Sequence, residues 1–424
     1  MTITTDIREM AQLTYEAAGE VAMMSHQDKN QLLTEIAASL RRNSQSLIAT
    51  HLQDLSEAKL QKGAATSQDE VRLGDQQAIE RLAHEIELMA ADPDPIGVVQ
   101  EELFPLANVC RQKRSIPLGP LLAICKSPDQ LLKLVCSALK SSNSMLLLSG
   151  KEGARTNGAL IQIIRQCLYK VSWPLHSIQL IAQPDRATLI ELLKMNNCFT
   201  ALIVHGNAML QKFCRQQTEL PMICGGATIC HLFIDQSSRW QKASDIIYSA
   251  KLLPSNNQQL LNVLLVHHTI ASFFLPPLMN KLGQAGICFQ LDPKAWQLSQ
   301  QKRSLISATV ALQQASPESW DKERPAFHLA IKLVDHLDEA IDHILLHGNG
   351  ACDGIFTEQK EHISSFIQLV DSTCLYVNSS PTYGSLKQPD ESGSTPFVAT
   401  QKLAPRGPIG AKELTSCQWV IHGA

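Results

Sequence analysis

The chain has 424 residues, 44% hydrophobic and 18% charged, with 37 basic against 40 acidic side chains and a formal net charge of −3. That length exceeds one compact core and calls for two or three domains, and the near balance of charge builds no single-sign field of the kind that draws nucleic acid. No apolar run approaches the roughly 18 residues of a membrane span, and Asp6, Arg8 and Glu9 leave the N-terminus without the apolar stretch of a signal peptide, so neither is expected.

The first ninety residues read as helices. Ser25 with Asp28 three positions on is a helix start with an acidic residue in its first turn, and Leu32, Leu33, Ile36 and Leu40 follow at helical spacing. A second helical stretch carries Ile79, Leu82, Ile86 and Leu88 and stops at Asp92-Pro93-Asp94-Pro95, a turn and a boundary. Arg111 to Arg114 is a short basic run that reads as a solvated strand edge. From Ile116 the period changes. Strands over 121–125, 145–148, 178–181 and 201–204 alternate with helices over 131–139, 156–169, 189–195 and 210–213, and a strand over 228–234 closes the series. This alternation predicts a parallel sheet covered on both faces, of the type that binds ligands beyond the carboxyl ends of its strands. A second α/β region begins near Ser237, with strands near 264–267, 329–334, 355–357 and 375–377. Tyr383 to Thr395 is a loop rich in Gly, Ser and Pro, and Arg406-Gly407-Pro408 reads as a turn feeding a last helix. The twelve cysteines form no C-x-x-C pair, so reduced thiols in a cytoplasm are expected.

Several residues could carry chemistry. Gly150-Lys151-Glu152 falls between a strand and a helix: either the Lys reaches a nucleotide phosphate or ribose beside a helix N-terminus, or the three form a solvated turn. Gly225-Gly226 either lets a backbone approach a ligand or makes a tight turn. His343 and His347 stand four apart on a helix with His336 nearby, but without an H-E-x-x-H pattern or a cysteine pair no metal is expected. His267 and His268 end a strand, where neighbours point to opposite faces. G-x-G-x-x-G, G-x-x-x-x-G-K-[ST] and G-x-S-x-G do not occur.

The segments Asp94-Pro95-Ile96-Gly97, Ile116-Pro117-Leu118-Gly119, Lys151-Glu152-Gly153-Ala154-Arg155-Thr156-Asn157, Pro184-Asp185-Arg186, Cys214-Arg215-Gln216-Gln217, Gly225-Gly226, Cys230-His231, Thr400-Gln401-Lys402-Leu403 and Arg406-Gly407-Pro408-Ile409-Gly410 follow one another in a telling order and spacing. Together they resemble the γ-glutamyl phosphate reductase (glutamate-5-semialdehyde dehydrogenase) family of the aldehyde dehydrogenase superfamily. The resemblance implies an aldehyde-dehydrogenase-like α/β fold of two doubly wound domains and a small oligomerisation flap. It places N-terminal helices and a nucleotide-binding domain over 1–236, with an oligomerisation strand at about 105–116, a catalytic-type domain over 237–382, and a C-terminal loop and oligomerisation segment over 383–424. It also implies a homo-oligomer and NADPH-dependent reduction of L-glutamyl 5-phosphate to glutamate 5-semialdehyde, in proline biosynthesis. In that reaction a thiolate attacks the acyl phosphate, and hydride from NADPH collapses the thioester. Donors surround the developing oxyanion.

The chain departs from the family at this chemistry. The nucleophile position falls on Gln258, or on Asn257 if the loop shifts by one, and the nearest cysteines are Cys230 and Cys288. Asp129, in Lys126-Ser127-Pro128-Asp129, stands where the family has an oxyanion-donating Asn. Val204-His205-Gly206-Asn207 replaces Pro-Arg-Gly-Gly, and Thr395 occupies the place of a Glu that grips the nicotinamide ribose. Lys151 and Glu152 keep the adenosine end, so the implied NADP(H) contacts are Lys151, Glu152, His205, Gly206, Gly225, Gly226 and Thr395. Three expectations follow: a degenerate member without dehydrogenase activity, a reductase using Cys224 as a displaced thiol, or a non-catalytic partner of an active paralogue or of glutamate 5-kinase.

Overall fold

A computed structural model describes residues 7–62, 73–106, 109–125, 127–151, 153–226, 229–252, 261–321, 327–381, 397–399 and 405–423. Lys126, Glu152, Asn257, Gln258, Thr395 and the Thr400–Leu403 segment lie outside them. The chain divides into two compact units, one of 1–226 with 389–397 and 408–424, the other of 227–388 with 398–407.

The first unit opens with helices α1 (Ile7–Ala22), α2 (His26–Arg42), α3 (Ser44–Lys62) and α4 (Gln76–Ala91). Ser25 and Asp28 form a capping box on α2: Asp28 N donates to Ser25 Oγ at 3.2 Å and Ser25 N donates to Asp28 Oδ2 at 3.0 Å. Strands β1 (Val99–Leu106) and β2 (Val109–Pro117) pair antiparallel. The alternating region follows as β3 (Leu121–Cys125), α5 (Pro128–Lys140), β4 (Met145–Ser149), α6 (Ala154–Lys170), β5 (Ile178–Ala182), α7 (Arg186–Leu193), β6 (Ala201–His205), α8 (Ala208–Gln217) and β7 (Met222–Gly225). These strands are parallel in the order β7-β6-β3-β4-β5. Every residue of β3, β4 and β6 is buried, as a parallel sheet covered on both faces requires. Leu122, Ile124, Leu146, Leu148, Leu202 and Val204 pack against Ala11 of α1, Leu192 of α7 and Cys214 of α8.

On the opposite side α5 packs against α2, α4 and α6 and is buried along its whole length. That burial traps two amines. Lys133 pairs with Glu85 at 2.9 Å. Lys140 touches no carboxylate among the described residues and instead donates to Asn30 Oδ1 (2.7 Å), Ala90 O (3.0 Å) and Asp92 O (2.6 Å). Burial pushes its pKa from 10.5 down to about 8.

The second unit runs β8 (Cys230–Ile234), α9 (Trp240–Leu252), β9 (Leu261–His267), α10 (His268–Gly283), β10 (Cys288–Leu291), α11 (Pro293–Gln301), β11 (Leu312–Gln314), α12 (Glu318–Asp321), β12 (His328–Val334), α13 (Leu337–His347), β13 (Cys352–Phe356), α14 (Lys360–Leu369) and β14 (Cys374–Val377). Its sheet is parallel in the order β11-β10-β12-β9-β8-β13-β14. Leu232, Ile234, Leu264 and Val266 face α9 and α10, while Phe233, Val263, Leu265 and Ile355 face α13 and α14. The expected boundary at 236/237 therefore moves to 226/227: β8 pairs with β9 and β13 and does not close the first sheet. Strand–helix alternation carries no information about which sheet takes a strand that is apolar on both faces.

The tail supplies β15 (Phe397–Ala399), β16 (Gly407–Ile409) and β17 (Thr415–Gly423), with one 3-10 turn over Lys412–Leu414. No last helix forms among the described residues. β17 instead pairs antiparallel with β2 from Thr415↔Pro117 to Gly423↔Val109, giving a three-stranded sheet of order β1-β2-β17. A ladder partner satisfies the backbone polar groups that a helix would satisfy internally. Arg111 to Arg114 thus lie on the central strand, not an edge, and the Arg111 guanidinium sits 4.1 Å over the Trp419 ring. No helix among the described residues is long and apolar enough to cross a membrane.

Replacing Lys140 with Met leaves three buried acceptors without their donor and is expected to lower stability by about 2 kcal/mol in urea denaturation. Because the folded pKa lies below the unfolded one, the unfolded chain binds more protons between pH 8 and 10.5. The Lys140 contribution to stability therefore rises with pH across that window, and Lys140→Met is expected to remove this rise.

Candidate functional site

In the first sheet the chain leaves β3 towards β4 on one side and leaves β6 towards β7 on the other, while β3 and β6 are neighbours. The direction of winding reverses between them, and the carboxyl ends of such a pair open a crevice. Pairing aligns Cys125 with His205 and His205 with Gly225. Asp129, His205, Gly206, Cys224, Gly225 and Gly226 therefore come together at the ends of neighbouring strands, with Lys151 one strand further along.

Asp129 lies in the first turn of α5, behind Ser127 at the N-cap and Pro128. It is 3% exposed and accepts a hydrogen bond from Ser127 Oγ. A carboxylate is stabilised there by the helix dipole. Burial, then the nearby Asp129 charge, pushes the Cys125 thiol well above the ordinary thiol range.

His205 is buried, and Asn207 caps α8 by accepting from Leu210 N at 2.9 Å. Gly206 N donates to Gly225 O at 3.0 Å, and Gln211 Nε2 donates to Gly206 O (3.0 Å) and Gly225 O (3.1 Å). A Cβ on Gly226 would lie 2.2 Å from Gly206 O, and one on Gly206 would lie 2.6 Å from Leu210 Cδ2. Glycine at 226 thus serves the close approach of two backbones, and glycine at 206 makes room for the Leu210 side chain.

Lys151 is exposed after β4, and Gly153 caps α6 at φ 74°. The α6 N-terminus holds an internal anion: Thr156 N (2.9 Å) and Thr156 Oγ1 (2.7 Å) both donate to Asp54 Oδ2 of α3. Sequence reasoning expected an anion at this helix end. It did not find Asp54, which stands 102 residues away with no local motif.

In the second unit the nucleophile position lies outside the described residues, but its flanks are defined. α9 ends at Leu252, β9 starts at Leu261, and buried Lys251 donates to Leu261 O at 2.8 Å. Cys224 is 1% exposed, and burial, outweighing the nearby Arg215, pushes its thiol up. A nucleophilic thiol needs the opposite shift. His231 Nδ1 lies 2.8 Å from Asp353 Oδ1, both fully buried, and Ser372 donates to Asp353 Oδ2. This pairing also escaped sequence reasoning, because β8 and β13 are adjacent only in the sheet. His343 packs edge-on against His231 and Trp320, and burial holds it neutral with a pKa of about 2. Among the described residues no group of three or more His, Cys, Asp or Glu is placed to hold a metal ion. His267 and His268 do not diverge as expected. The strand ends at His267 and α10 begins at His268, so the rings stack at 4.8 Å.

Two parallel α/β units with a three-stranded antiparallel sheet form an aldehyde-dehydrogenase-like architecture. A propionaldehyde dehydrogenase from Clostridium phytofermentans superposes with a TM-score of 0.72 over 98% of this chain and 97% of its own, at 14% identity. No protein-family model matches the chain. A γ-glutamyl phosphate reductase from Cronobacter sakazakii is 32% identical over 418 residues, 98% of each chain. The crystal structure of the γ-glutamyl phosphate reductase from Thermotoga maritima gives a TM-score of 0.85 at 25% identity, covering 99% of both chains. The chain belongs to the γ-glutamyl phosphate reductase family.

Gly226→Ala forces the Gly206 and Gly226 backbones apart and is expected to cost about 1–3 kcal/mol, read as a lowered thermal midpoint. Asp54→Ala is expected to cost about 1 kcal/mol through loss of the α6 cap. Faster hydrogen exchange confined to the first turn of α6 would identify that cause.

Proposed function

We propose that this chain is a γ-glutamyl phosphate reductase homologue that keeps a nucleotide site and has lost, or nearly lost, reduction of L-glutamyl 5-phosphate. The observation that carries this reading is the stretch between Lys251 and Leu261, which contains no cysteine. The family nucleophile falls on Gln258, or on Asn257. A carboxamide has its nitrogen lone pair delocalised into the carbonyl, so neither side chain attacks an acyl phosphate and then leaves. Loss of a nucleophile costs several orders of magnitude in turnover.

The remaining chemistry supports the same reading. Burial pushes up the thiols of Cys125, Cys224 and Cys374, so none has the thiolate character that attack requires. Asp129 puts an acceptor at the position of an oxyanion donor, and loss of one such donor costs about 3 kcal/mol of transition-state stabilisation. Thr395 has one hydroxyl where a carboxylate would grip the ribose diol. For NADP(H), whose chemistry when bound is hydride transfer, the reading is supported by exposed Lys151 after β4 and by the reversal of winding between β3 and β6. Lys151 and Glu152, with His205, Gly206, Gly225 and Gly226, would hold it. Exposed Phe104 and Ile421 on the three-stranded sheet support a homo-oligomer.

The test couples two measurements on the purified protein. Calorimetric titration with NADPH is expected to show binding that Lys151→Ala weakens about tenfold. Phosphate-dependent NADP+ reduction with glutamate 5-semialdehyde is expected to run about four orders of magnitude below a cysteine-bearing relative, with Cys224→Ala no different. Turnover at the rate of that relative overturns the proposal, and turnover abolished by Cys224→Ala supports the displaced thiol instead.

A further inference from the structure

Helix α13 covers one face of the second sheet. Its apolar stripe, Leu337, Ala340, Ile341 and Ile344, packs with Phe233, Val263, Leu265 and Val334, and burial of that stripe holds the helix in place. Three histidines belong to the same element: His336 at the N-cap, His343 among the buried residues and His347 in the last turn. Histidine changes charge close to neutral pH, so the attachment of this helix depends on which rings are protonated.

His343 is 4% exposed and enclosed by other rings. It meets His231 of β8 edge-on at 5.6 Å and Trp320 of α12 edge-on at 5.1 Å, and His347 lies one turn on at 4.4 Å. Its Nε2 has no hydrogen-bond partner among the described residues, and neither has Nε2 of His231. An imidazolium carries an N–H on both ring nitrogens, so a protonated His343 is a buried cation with a donor that meets no acceptor. Asp353, on the far side of His231, is already engaged by His231 N (3.0 Å), His231 Nδ1 (2.8 Å) and Ser372 Oγ. His336 needs the neutral state for a different reason. Its Nδ1 accepts from Glu339 N at 3.3 Å and so caps α13. A protonated Nδ1 cannot accept, and it sets a positive charge against a helix N-terminus.

The charged and titratable groups facing His343 are His231 on β8, Lys332 on β12 and His347 on α13 itself, and each disfavours a further positive charge. Burial, the largest effect, acts with these three to hold its pKa at about 2, against an ordinary 6.5. Beside His336 stand Asp338 and Glu339 of the same first turn and Asp335 before it. Asp335 is paired with Lys294 at 2.8 Å, with His268 at 3.5 Å from the same carboxylate, and Glu339 is paired with Lys332 at 3.6 Å. Because the His343 value in the closed helix lies below the ordinary one, an opened α13 binds more protons once the pH falls under 6.5. The closed helix is therefore at full stability above that pH and loses stability below it. We infer that α13 is an acid-released element: protonation of His343 and His336 opens it locally from the second sheet while the strands beneath stay paired.

The test is hydrogen exchange of the full-length protein, resolved by segment and corrected for the intrinsic pH dependence of exchange, at about pH 7.5 and about pH 5.5. The opening constant of α13 is expected to rise by about tenfold or more between the two, the ratio for one group that titrates normally when open and far lower when closed. α14, which packs on the same face through Phe366, and α10, on the other face, are expected to change by less than about twofold. His343→Leu, which keeps the stripe apolar, is expected to remove most of the rise. His336→Asn, which caps the helix without titrating, is expected to reduce it. The comparison of α13 with α10 and α14 in the unaltered chain decides the matter even if His343→Leu does not fold. Equal acceleration in all three helices, no acceleration in α13, or an unchanged rise in either variant overturns the inference.

Discussion

A connection between parallel strands through a helix winds in one hand, so the side of the sheet on which a helix lands is decided by the direction of the next strand. Each unit of this chain reverses that direction once, between β3 and β6 in the first and between β8 and β13 in the second. Each reversal sends successive helices to opposite faces and leaves the strand ends between them uncovered. The Asp129–His205–Gly206 crevice and the strand ends at Asp235 and Thr357 are consequences of the same constraint. Differences in side chains, not in backbone plan, give the two places different chemistry.

Much of the polar chemistry at these strand ends is committed to the fold. Asp54 fills the N-terminus of α6, Asn207 fills that of α8, and Gln211 ties Gly206 to Gly225. Lys251 ties the end of α9 to the start of β9. The Cys125 and Cys224 thiols lie in strands, where burial keeps them protonated. The stability of such a framework rests on caps, ladders and apolar contacts that reacting groups do not supply.

The family is legible in the order of residues alone, since its motifs run in sequence from Asp94 to Gly410. So are the helical start, the Ser25 capping box and the first strands. Periodicity of 3.6 or 2 survives in any tertiary setting when one face of an element must be buried. β8 shows where that reasoning stops. Its five residues are buried on both faces, and a strand of that kind carries no mark of the sheet that takes it. β17 shows the same limit, because its partner β2 is about 300 residues earlier.

By itself the sequence determined the family, the alternation of strand and helix, and the absence of a cysteine between Lys251 and Leu261. These follow from residue identity and local spacing, which do not depend on how the chain folds back. Tertiary structure alone decided that Asp54 caps α6, that His231 meets Asp353, that Cys224 is a buried thiol, and that His343 is buried against His231 and Trp320. Each depends on which distant segments share a surface and on how much water is excluded there, quantities that arise only when the sheets and their covering helices are assembled.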